Sequence, residues 1–365
     1  MSTRGTQVDR PLIVDAWRDL VLSDERRQLV GSVRRHFAER FPISAHHAIV
    51  PGAEPKSNGW GELTAAGYPV IGLPEDVGGA GTAVDLVAVL EEAGRALLAA
   101  PLLATVLALH VLRAAGLPPA PAEQAGALGR GRGVMYDGRV DLDGAYVLDG
   151  AAAEWLAVVI PAKAGVIVVQ LDVSDLPAPV VSTHIDPARP IARFHAGGVR
   201  PRAATGVAVP EDVVLAPARV AVAADLVGVA AGALDRAVEH ALDREQFGKK
   251  LGAFQGVKHR LADGYVAVER ARSLTRAAAI LIERPEADPK TAARLPLLAQ
   301  AAAAEAALRT TSSLVQVLGA MGMTSESDAH LFFRRAQQTA GFLGSPADCY
   351  ARAAEIALTS AGSMR

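Results

Sequence analysis

The sequence predicts a mainly α-helical fold with a central β-domain, because the spacing of its apolar residues changes twice along the chain. Residues 1–130 carry apolar side chains at helical spacing, and residues 131–215 carry short β-type runs separated by turn residues. Residues 216–365 return to long helical segments that hold almost no glycine or proline inside them. We therefore predict an N-terminal helical domain, a middle β-domain and a C-terminal four-helix bundle.

The composition is that of a globular protein without a nucleic-acid partner. The chain has 365 residues and a mass of 37.8 kDa, which is long enough for two or three domains. Hydrophobic residues make up 50% and charged residues 21%, and the net charge of −2 leaves no basic excess to neutralise phosphates. Cys349 is the single cysteine, which excludes an internal disulfide and fits a reducing compartment.

The apolar stretches predict neither a signal peptide nor a membrane span. Arg4, Asp9 and Arg10 stand at the start of the chain, where a signal peptide would need an apolar run. The most apolar run, residues 96–112, is interrupted by Pro101 and is short for a bilayer, so we predict a buried core helix there. A soluble cytoplasmic protein with no membrane partner is the expectation.

Capping and turn signals organise the N-terminal third. Ser23 is a predicted N-cap for a helix with Leu29, Val33 and Phe37 on one stripe. A glycine-rich break follows at residues 73–81. The break lacks the Lys-Ser/Thr of a P-loop and no strand clearly precedes it, so we predict a structural turn rather than a phosphate site.

The rest of the sequence predicts a β-sheet domain followed by a helical bundle. Apolar runs such as residues 155–160 and 165–171 predict a β-domain of roughly six or seven strands, with Trp155 in its core. Helices are predicted at about 218–242, 256–283, 290–317 and 326–340, with a loop at 283–289 between the second and the third. Such a series predicts an antiparallel bundle.

The segment between the first two predicted bundle helices contains the candidate binding residues. Arg244, Phe247 and Gly248 are followed by Gly252 and Gln255, and this set fits a turn that points donors at an anionic group. The pattern R-x-x-F-G, with its F-Q-x-x-K-H-x-x-A-D continuation, closely resembles the signature of the acyl-CoA dehydrogenase family. The alternative is an ordinary helix–loop–helix connection. The order of helical domain, β-domain and four-helix bundle also matches that family, so the resemblance covers nearly the whole chain.

The resemblance implies an FAD-dependent oxidoreductase that desaturates the α,β bond of an acyl-CoA thioester. In the family a carboxylate removes the α-proton while a hydride passes to the flavin. The family's R-x-x-F and F-Q residues approach the FAD of a neighbouring subunit, which assigns Arg244, Phe247 and Gln255 to the cofactor here. An electron-transfer flavoprotein is the expected electron acceptor, and a homo- or hetero-oligomer, as a dimer or a dimer of dimers, is the expected assembly.

A second segment is implied to bind the cofactor as well. Gln316, Gly319 and Gly322 lie in a run that resembles the family's Q-x-x-G-G-x-G loop, although Ala320 replaces the second glycine. An arginine suits a pyrophosphate because its planar fork donates two hydrogen bonds at once. The alternative for Arg244 is a surface salt bridge to a neighbouring helix.

The catalytic base is where the sequence departs from the family. Leu343 stands at the position of the glutamate that many members carry, and Ala218 stands at the position that another subgroup uses. Relatives from actinobacteria and steroid degradation have Ala-Ala-Glu-x-x-Gly where this chain has Asp225. Asp225 is therefore the candidate base, and a structural carboxylate held by a neighbouring donor is the equal alternative.

A motif at the start of the last predicted bundle helix, residues 324–336, resembles a segment found in the same branch of the family. Asp328, His330 and Arg334 fall within two turns of one helix, so we predict ion pairs at i, i+3 and i+4 spacing rather than a metal site. No metal ion is expected. His259 is predicted to serve packing or support rather than catalysis.

Two functions therefore stay open at this point. The first is a flavin-dependent acyl-CoA dehydrogenase that acts on a bulky or steroid-type thioester, as the Asp-Ala-His-Leu segment suggests. The second is a non-catalytic or half-site subunit of a heteromeric acyl-CoA dehydrogenase, because both familiar glutamates are missing and the flavin-facing part of the β-domain is shortened. Non-redox chemistry on an acyl thioester is a third possibility that no residue specifically supports.

Overall fold

Capped helices form the N-terminal domain, as predicted. The structure is a computed structural model that describes residues 23–49, 59–182, 185–284 and 288–361. Its first helices are α1 (Asp24–Arg40), α2 (Trp60–Ala65), α3 (Ala83–Arg95) and α4 (Leu102–Ala114). The side chain of Ser23 accepts a hydrogen bond from the backbone of Arg26, which confirms the predicted N-cap. Arg4, Asp9 and Arg10 lie outside the described residues.

The glycine-rich break before α3 is a structural turn. It contains a short 3₁₀ segment, Glu75–Val77, and Thr82 then starts α3 with a capping box to Asp85. A Cβ atom at Gly79 would stand 2.0 Å from the carbonyl oxygen of Leu73, so the backbone packs against itself here. Gly79 is therefore needed for close packing of the turn, whereas Gly78 and Gly81 take the positive φ angles of 79° and 69° that it contains.

The middle domain is a single mixed sheet of seven strands, which confirms the predicted β-domain. The strands are β1 (Gly126–Tyr136), β2 (Arg139–Leu148), β3 (Trp155–Ala162), β4 (Gly165–Asp172), β5 (Val180–Ser182), β6 (Ile191–Val199) and β7 (Ala203–Val207). Their order in the sheet is β5-β6-β2-β1-β3-β4-β7, in which β1 and β3 run parallel and the other neighbouring pairs run antiparallel. Trp155 is fully buried, as predicted. Asp137 and Gly138 both take positive φ angles, of 46° and 71°, at the tight turn between β1 and β2.

The C-terminal part is a helical bundle with a small hairpin inserted in it. The predicted bundle helices lie within a few residues of the observed ones, and the last helix was not predicted. The domain boundaries at 130 and 215 stay predictions, although the first strand already begins at Gly126. Part of the predicted loop at 283–289 lies outside the described residues. The elements are α5 (Glu211–Val214), α6 (Ala216–Asp243), β8 (Glu245–Gln246), β9 (Lys249–Lys250), α7 (Gln255–Ile282), α8 (Pro289–Leu318), α9 (Ala329–Thr339) and α10 (Pro346–Ala361).

Three long helices meet side by side in the bundle. A Cβ atom at Gly264 of α7 would lie 3.3 Å from Leu234 of α6 and 3.4 Å from Thr310 of α8. Because α6 ends and α7 begins on either side of a short hairpin, the two helices run antiparallel, and α8 returns beside them. The C-terminal ends of α6 and α8 therefore lie at the same end of the bundle as the N-terminal end of α7.

The N-terminal domain packs against the bundle through a close crossing of α3 and α6. A Cβ atom at Gly228 would stand 1.9 Å from the carbonyl oxygen of Glu91, and one at Gly94 would stand 2.0 Å from that of Asp225. Glycine is therefore required on both helices for their backbones to touch. Helix α6 is apolar and long enough to cross a bilayer, but 94% of its most apolar window is buried inside the fold, so packing accounts for its composition.

Candidate functional site

The turn after α6 presents its residues outward. Arg244 ends α6 in an extended conformation, and strands β8 and β9 then form a hairpin whose tip is Phe247 and Gly248. Both tip residues take positive φ angles, of 52° and 75°, as a tight hairpin turn requires. The Phe247 side chain is 92% exposed, with only an edge contact to the ring of Phe254. The Phe247 ring is therefore open to contact with another molecule.

The turn's donors fit an anionic dinucleotide. Arg244 and Gln255 are both exposed, and neither side chain makes a hydrogen bond or ion pair within the described part of the chain. Lys250 pairs with Glu245, and the ammonium of Lys249 lies over the Phe254 ring. A guanidinium, an amide and an aromatic ring on one surface suit a pyrophosphate and its adjoining groups. These residues would hold one side of an FAD molecule, and their assignment stays a prediction.

The second predicted cofactor segment lies at the same end of the bundle. Gln316 is exposed on the last turn of α8, and Gly319 ends that helix with a φ angle of 63°. Gly322 is buried, and a Cβ atom there would stand 2.6 Å from the carbonyl oxygen of Val315. Only Gln316 and Gly319 therefore face outward, whereas Gly322 is needed for the tight fold of the loop.

Asp225 forms a buried ion pair. It is fully buried on α6, and both of its carboxylate oxygens accept hydrogen bonds from Arg189, at 2.8 Å and 3.0 Å. Arg189 lies in the segment between β5 and β6. Burial alone would lower the pKa of Arg189, but the neighbouring carboxylates raise it, so this arginine stays charged. A carboxylate engaged at both oxygens and shielded from solvent is poorly placed to accept a substrate proton, so the geometry argues against Asp225 as the base and for its structural alternative.

The Arg189–Asp225 pair is part of a larger buried network that sequence reasoning missed. Asp149, at the end of β2, lies 3.9 Å from Nε of Arg189, and neither of the two atoms has a hydrogen-bond partner among the described residues. Burial raises the pKa of Asp149 to about 7. The sequence signal for this site was Asp225 itself, an acidic residue inside an apolar stretch of helix.

A second ion pair extends the network to the N-terminal domain. Asp186 accepts a hydrogen bond from Arg335 of α9, whose guanidinium also reaches the carbonyl oxygens of Leu97 and Leu98 at 3.4 Å. Burial pushes the pKa of Asp186 upward, but Arg335 and Arg189 outweigh it and the pKa lies below its usual value. The network thus joins all three parts of the fold.

Both familiar positions of the family's base are packed into the protein. Ala218 is fully buried. Leu343 is buried with a φ angle of 64°, and its carbonyl oxygen accepts a hydrogen bond from Arg219 at 2.8 Å. The same guanidinium donates to Gln300 at 2.8 Å, and burial lowers the pKa of Arg219. The Arg219 guanidinium therefore holds the backbone at Leu343, the position at which the resemblance expects the base.

The motif at the start of α9 makes different contacts from those predicted. Asp328 contacts His47 at 3.0 Å and Arg236 at 3.8 Å, His330 contacts the carbonyl oxygen of Ser327, and Arg334 donates to a backbone carbonyl across the domain junction. The prediction of ion pairs within the helix was therefore wrong, because the Asp328 side chain, just before the helix, contacts His47 and Arg236 of other elements. His259 is exposed on α7.

The clefts and the titratable side chains add no further catalytic constellation. A cleft of about 710 Å³ lies between α2, α4 and residues 119–123, and it contains none of the predicted site residues. In the part of the chain that the structure describes, no group of three or more His, Cys, Asp or Glu side chains could hold a metal ion. Cys349 is buried beside Arg219, and burial raises the pKa of its thiol.

Comparisons with known proteins place the whole chain in one family. Residues 23–118 match the acyl-CoA dehydrogenase N-terminal domain, and residues 204–347 match the acyl-CoA dehydrogenase C-terminal domain. The chain is 33% identical over 335 residues to acyl-CoA dehydrogenase IpdE2 of Mycobacterium tuberculosis, covering 90% of this chain and 96% of that protein. It is 34% identical over 325 residues to acyl-CoA dehydrogenase FadE34 of the same organism, covering 83% of this chain and 42% of that one.

A solved structure gives the same result. The Tcur3481-Tcur3483 steroid ACAD superposes with a TM-score of 0.81 at 26% sequence identity, covering 93% of this chain and 99% of that chain. The helical domain, mixed sheet and bundle described above are the architecture of these relatives. The chain belongs to the acyl-CoA dehydrogenase family, whose members are FAD-dependent oxidoreductases acting on CH–CH bonds.

Proposed function

We propose that this chain is one subunit of a hetero-oligomeric acyl-CoA dehydrogenase that desaturates a bulky, steroid-type acyl-CoA thioester. In this assembly its hairpin turn contacts an FAD molecule held mainly by a second, homologous subunit, and that subunit supplies the base. FAD, when bound, accepts the hydride that leaves the β-carbon. The residues of this chain would position the cofactor and would not take the α-proton.

The observation that carries this proposal is the lack of an available carboxylate at any of the three expected positions. Leu343 and Ala218 carry no acid, and both are buried. Asp225 carries one, but Arg189 engages both of its oxygens inside the core. General-base catalysis needs a carboxylate within hydrogen-bond reach of the substrate's proton. By contrast, the turn that faces outward keeps Arg244 and Gln255 ready for an external anion.

The substrate class rests on two weaker supports. The motif before α9 resembles that of steroid-degrading relatives, and the superposed structure at 26% identity is named a steroid ACAD. A polycyclic or branched acyl group of this kind is therefore the substrate to test first. Electron-transfer flavoprotein as the acceptor and a cytoplasmic location are parts of the same proposal.

The test is to purify the chain alone and co-expressed with acyl-CoA dehydrogenase homologues from its own organism. We expect the chain alone to be colourless and inactive, and the co-purified complex to be yellow, with flavin absorbance and with dehydrogenase activity toward a steroid-type CoA thioester. An aliphatic acyl-CoA of similar mass is the matched substrate control. A chain that binds FAD stoichiometrically and desaturates the thioester by itself would overturn the half-site proposal and restore the self-sufficient dehydrogenase.

A further inference from the structure

The buried network around Arg189 contains more acidic than basic groups. None of its five ionisable side chains is more than 5% exposed. Three carboxylates face two guanidiniums, so the network would carry one uncompensated negative charge if every member were ionised. A buried charge without a partner is costly, and such a group takes up or releases a proton instead. The network therefore needs one proton to be neutral. Its members are Asp149, Asp186, Asp225, Arg189 and Arg335.

Asp149 is the member that can hold this proton. Both oxygens of Asp225 accept hydrogen bonds from Arg189, and Asp186 accepts one from Arg335. The Oδ2 atom of Asp149, by contrast, has no hydrogen-bond partner among the described residues. The two guanidiniums thus direct their hydrogen bonds to the other two carboxylates. Asp149 is the acid whose charge they leave without a hydrogen bond.

His46 is the other titratable side chain that faces the network. It lies in the 3₁₀ segment Ile43–Ala48 of the N-terminal domain, and it is buried. Burial and the nearby charge of Arg335 lower the pKa of His46 to about 4, so its ring is uncharged near neutral pH. His46 therefore does not supply the missing positive charge, and the proton belongs to Asp149.

The network attaches an irregular segment of the β-domain, residues 185–190, to the bundle. The backbone N–H of Asp186 donates to the side chain of Gln338 on α9 at 3.2 Å, and its carboxylate accepts from Arg335 of the same helix. The Gln338 amide in turn donates to the carbonyl oxygen of Arg189. The segment belongs to no helix or strand. Side-chain contacts, rather than a backbone ladder, therefore hold it against α6 and α9.

We infer that this network is a pH-sensitive junction, in which loss of one proton releases residues 185–190 from α6 and α9. The step is an acid–base equilibrium: the O–H bond of the Asp149 carboxyl group breaks, and the proton passes to solvent. The carboxylate that remains needs water or a free cation, and water reaches it only if the segment moves away. Arg189 lies 3.9 Å from Asp149 and is part of that segment, so the change in charge acts directly on it.

The direction of the change follows from the burial of Asp149. Its pKa is raised to about 7 in the closed junction, whereas a hydrated carboxyl group of this kind titrates near 3.8. The closed form therefore holds the proton more tightly than the open form, and it loses stability as the pH rises through 7. This inference goes beyond the proposed function, because it concerns how the parts of one chain hold together and needs neither FAD nor a second subunit.

The test is hydrogen–deuterium exchange of the purified full-length chain between pH 5.5 and pH 7.5, corrected for the intrinsic effect of pH on exchange. The amides of Asp186 and Ala188 report on the junction, because they donate to Gln338 and to the Asp186 carboxylate. We expect their protection to fall about tenfold or more over this range. Amides of the β3–β4 ladder should keep their protection, since the sheet stays folded.

Two variants separate the role of Asp149 from a general effect of pH. Asp149→Asn cannot lose a proton, so the protection of residues 185–190 should no longer depend on pH. Asp143→Asn, at an exposed position of the same strand, is the matched control and should keep the dependence of the wild type. Circular dichroism verifies that both variants are folded.

Three outcomes would overturn the inference. They are a wild-type protection that stays constant with pH, an Asp149→Asn variant that keeps the wild-type dependence, and an equal loss of protection in the segment and in the β3–β4 ladder. The last result would mean that the whole chain unfolds rather than the junction. The wild-type comparison of segment and ladder stands by itself if a variant does not fold. Each outcome leaves the half-site proposal intact, because flavin binding tests that proposal separately.

Discussion

Arg189 donates to both carboxylate oxygens of Asp225, at 2.8 Å and 3.0 Å, and this buried pair ties the β-domain to the first bundle helix. The arginine comes from the segment before β6, and the aspartate lies where α6 crosses α3. Removing one charge of such a pair leaves the other uncompensated in the core, which is far more costly than losing a surface pair. The pairing therefore gives Asp225 a structural role, in which it neutralises the buried Arg189.

Asp225→Asn is expected to lower the free energy of unfolding by about 3 kcal/mol or more, because Arg189 would stay buried without its counter-charge. Urea unfolding at pH 7 measures the change. Asp263→Asn, at an exposed position of α7, is the matched control and should stay within about 0.5 kcal/mol of the wild type. If Asp225→Asn instead unfolds like the wild type, and the assembled enzyme loses its turnover, Asp225 is the base and the structural interpretation is wrong.

Asp149 is expected to make stability depend on pH near neutrality. Burial raises its pKa from 3.8 to about 7, so the folded state holds the proton more tightly than the unfolded chain does. Its contribution to stability is therefore fully present below pH 4 and is lost as the pH rises through 7. Asp149→Asn is neutral at every pH, so the wild type should lose about 2 to 3 kcal/mol relative to this variant between pH 5 and pH 8.

Unfolding in urea at both pH values measures this difference, with Asp186→Asn as the comparison. The pKa of Asp186 is lowered, because burial is outweighed by Arg335 and Arg189, so its stabilising effect is lost only in acid. The cost of Asp186→Asn should therefore be the same at pH 5 and pH 8. An equal cost of Asp149→Asn at the two pH values would show that Asp149 is ionised throughout this range.

Helical periodicity and turn chemistry predicted most of the fold, because both are local. Ser23 caps its helix, Trp155 is in the core, and the long helices begin and end near the predicted residues. The parallel pairing of β1 with β3 could not be predicted, since it depends on which strands meet across the sheet. Helix α10 was missed because its residues follow a tight turn at Gly344 and carry only a short apolar stripe.

The site was predictable only where a motif carried it. Arg244, Phe247 and Gln255 were predicted because their spacing resembles a family signature; the structure shows all three exposed at the turn after α6, and their cofactor role stays a prediction. The partner of Asp225 was not predictable from the sequence, because Arg189 stands 36 positions away in an irregular segment. Asp328 was assigned to its own helix, yet it reaches His47, which is 281 positions distant. Long-range pairing of charged side chains leaves no local pattern.

Gly228→Ala is expected to destabilise the chain by about 2 kcal/mol or more, because the new methyl group would stand against the carbonyl oxygen of Glu91 at the crossing of α3 and α6. Thermal unfolding measures it. Gly31→Ala on α1 is the control, since only the end of the Arg35 side chain lies near that position. There alanine should stabilise the helix by about 0.5 to 1 kcal/mol. Equal melting temperatures for the two variants would show that the two backbones do not touch.

Arg244→Lys is expected to weaken FAD binding by the assembled complex about tenfold to a hundredfold, although the positive charge is kept. Lysine cannot donate the two parallel hydrogen bonds that a guanidinium offers to a pyrophosphate. Titration of the apo complex with FAD, followed by flavin fluorescence, measures the affinity. Because the Arg244 side chain is exposed and makes no hydrogen bond or ion pair within the described chain, the free energy of unfolding should stay within about 0.5 kcal/mol of the wild type. Arg200→Lys, at another exposed arginine, should leave the affinity unchanged, and a complex in which both variants bind FAD equally would remove the hairpin turn from the cofactor site.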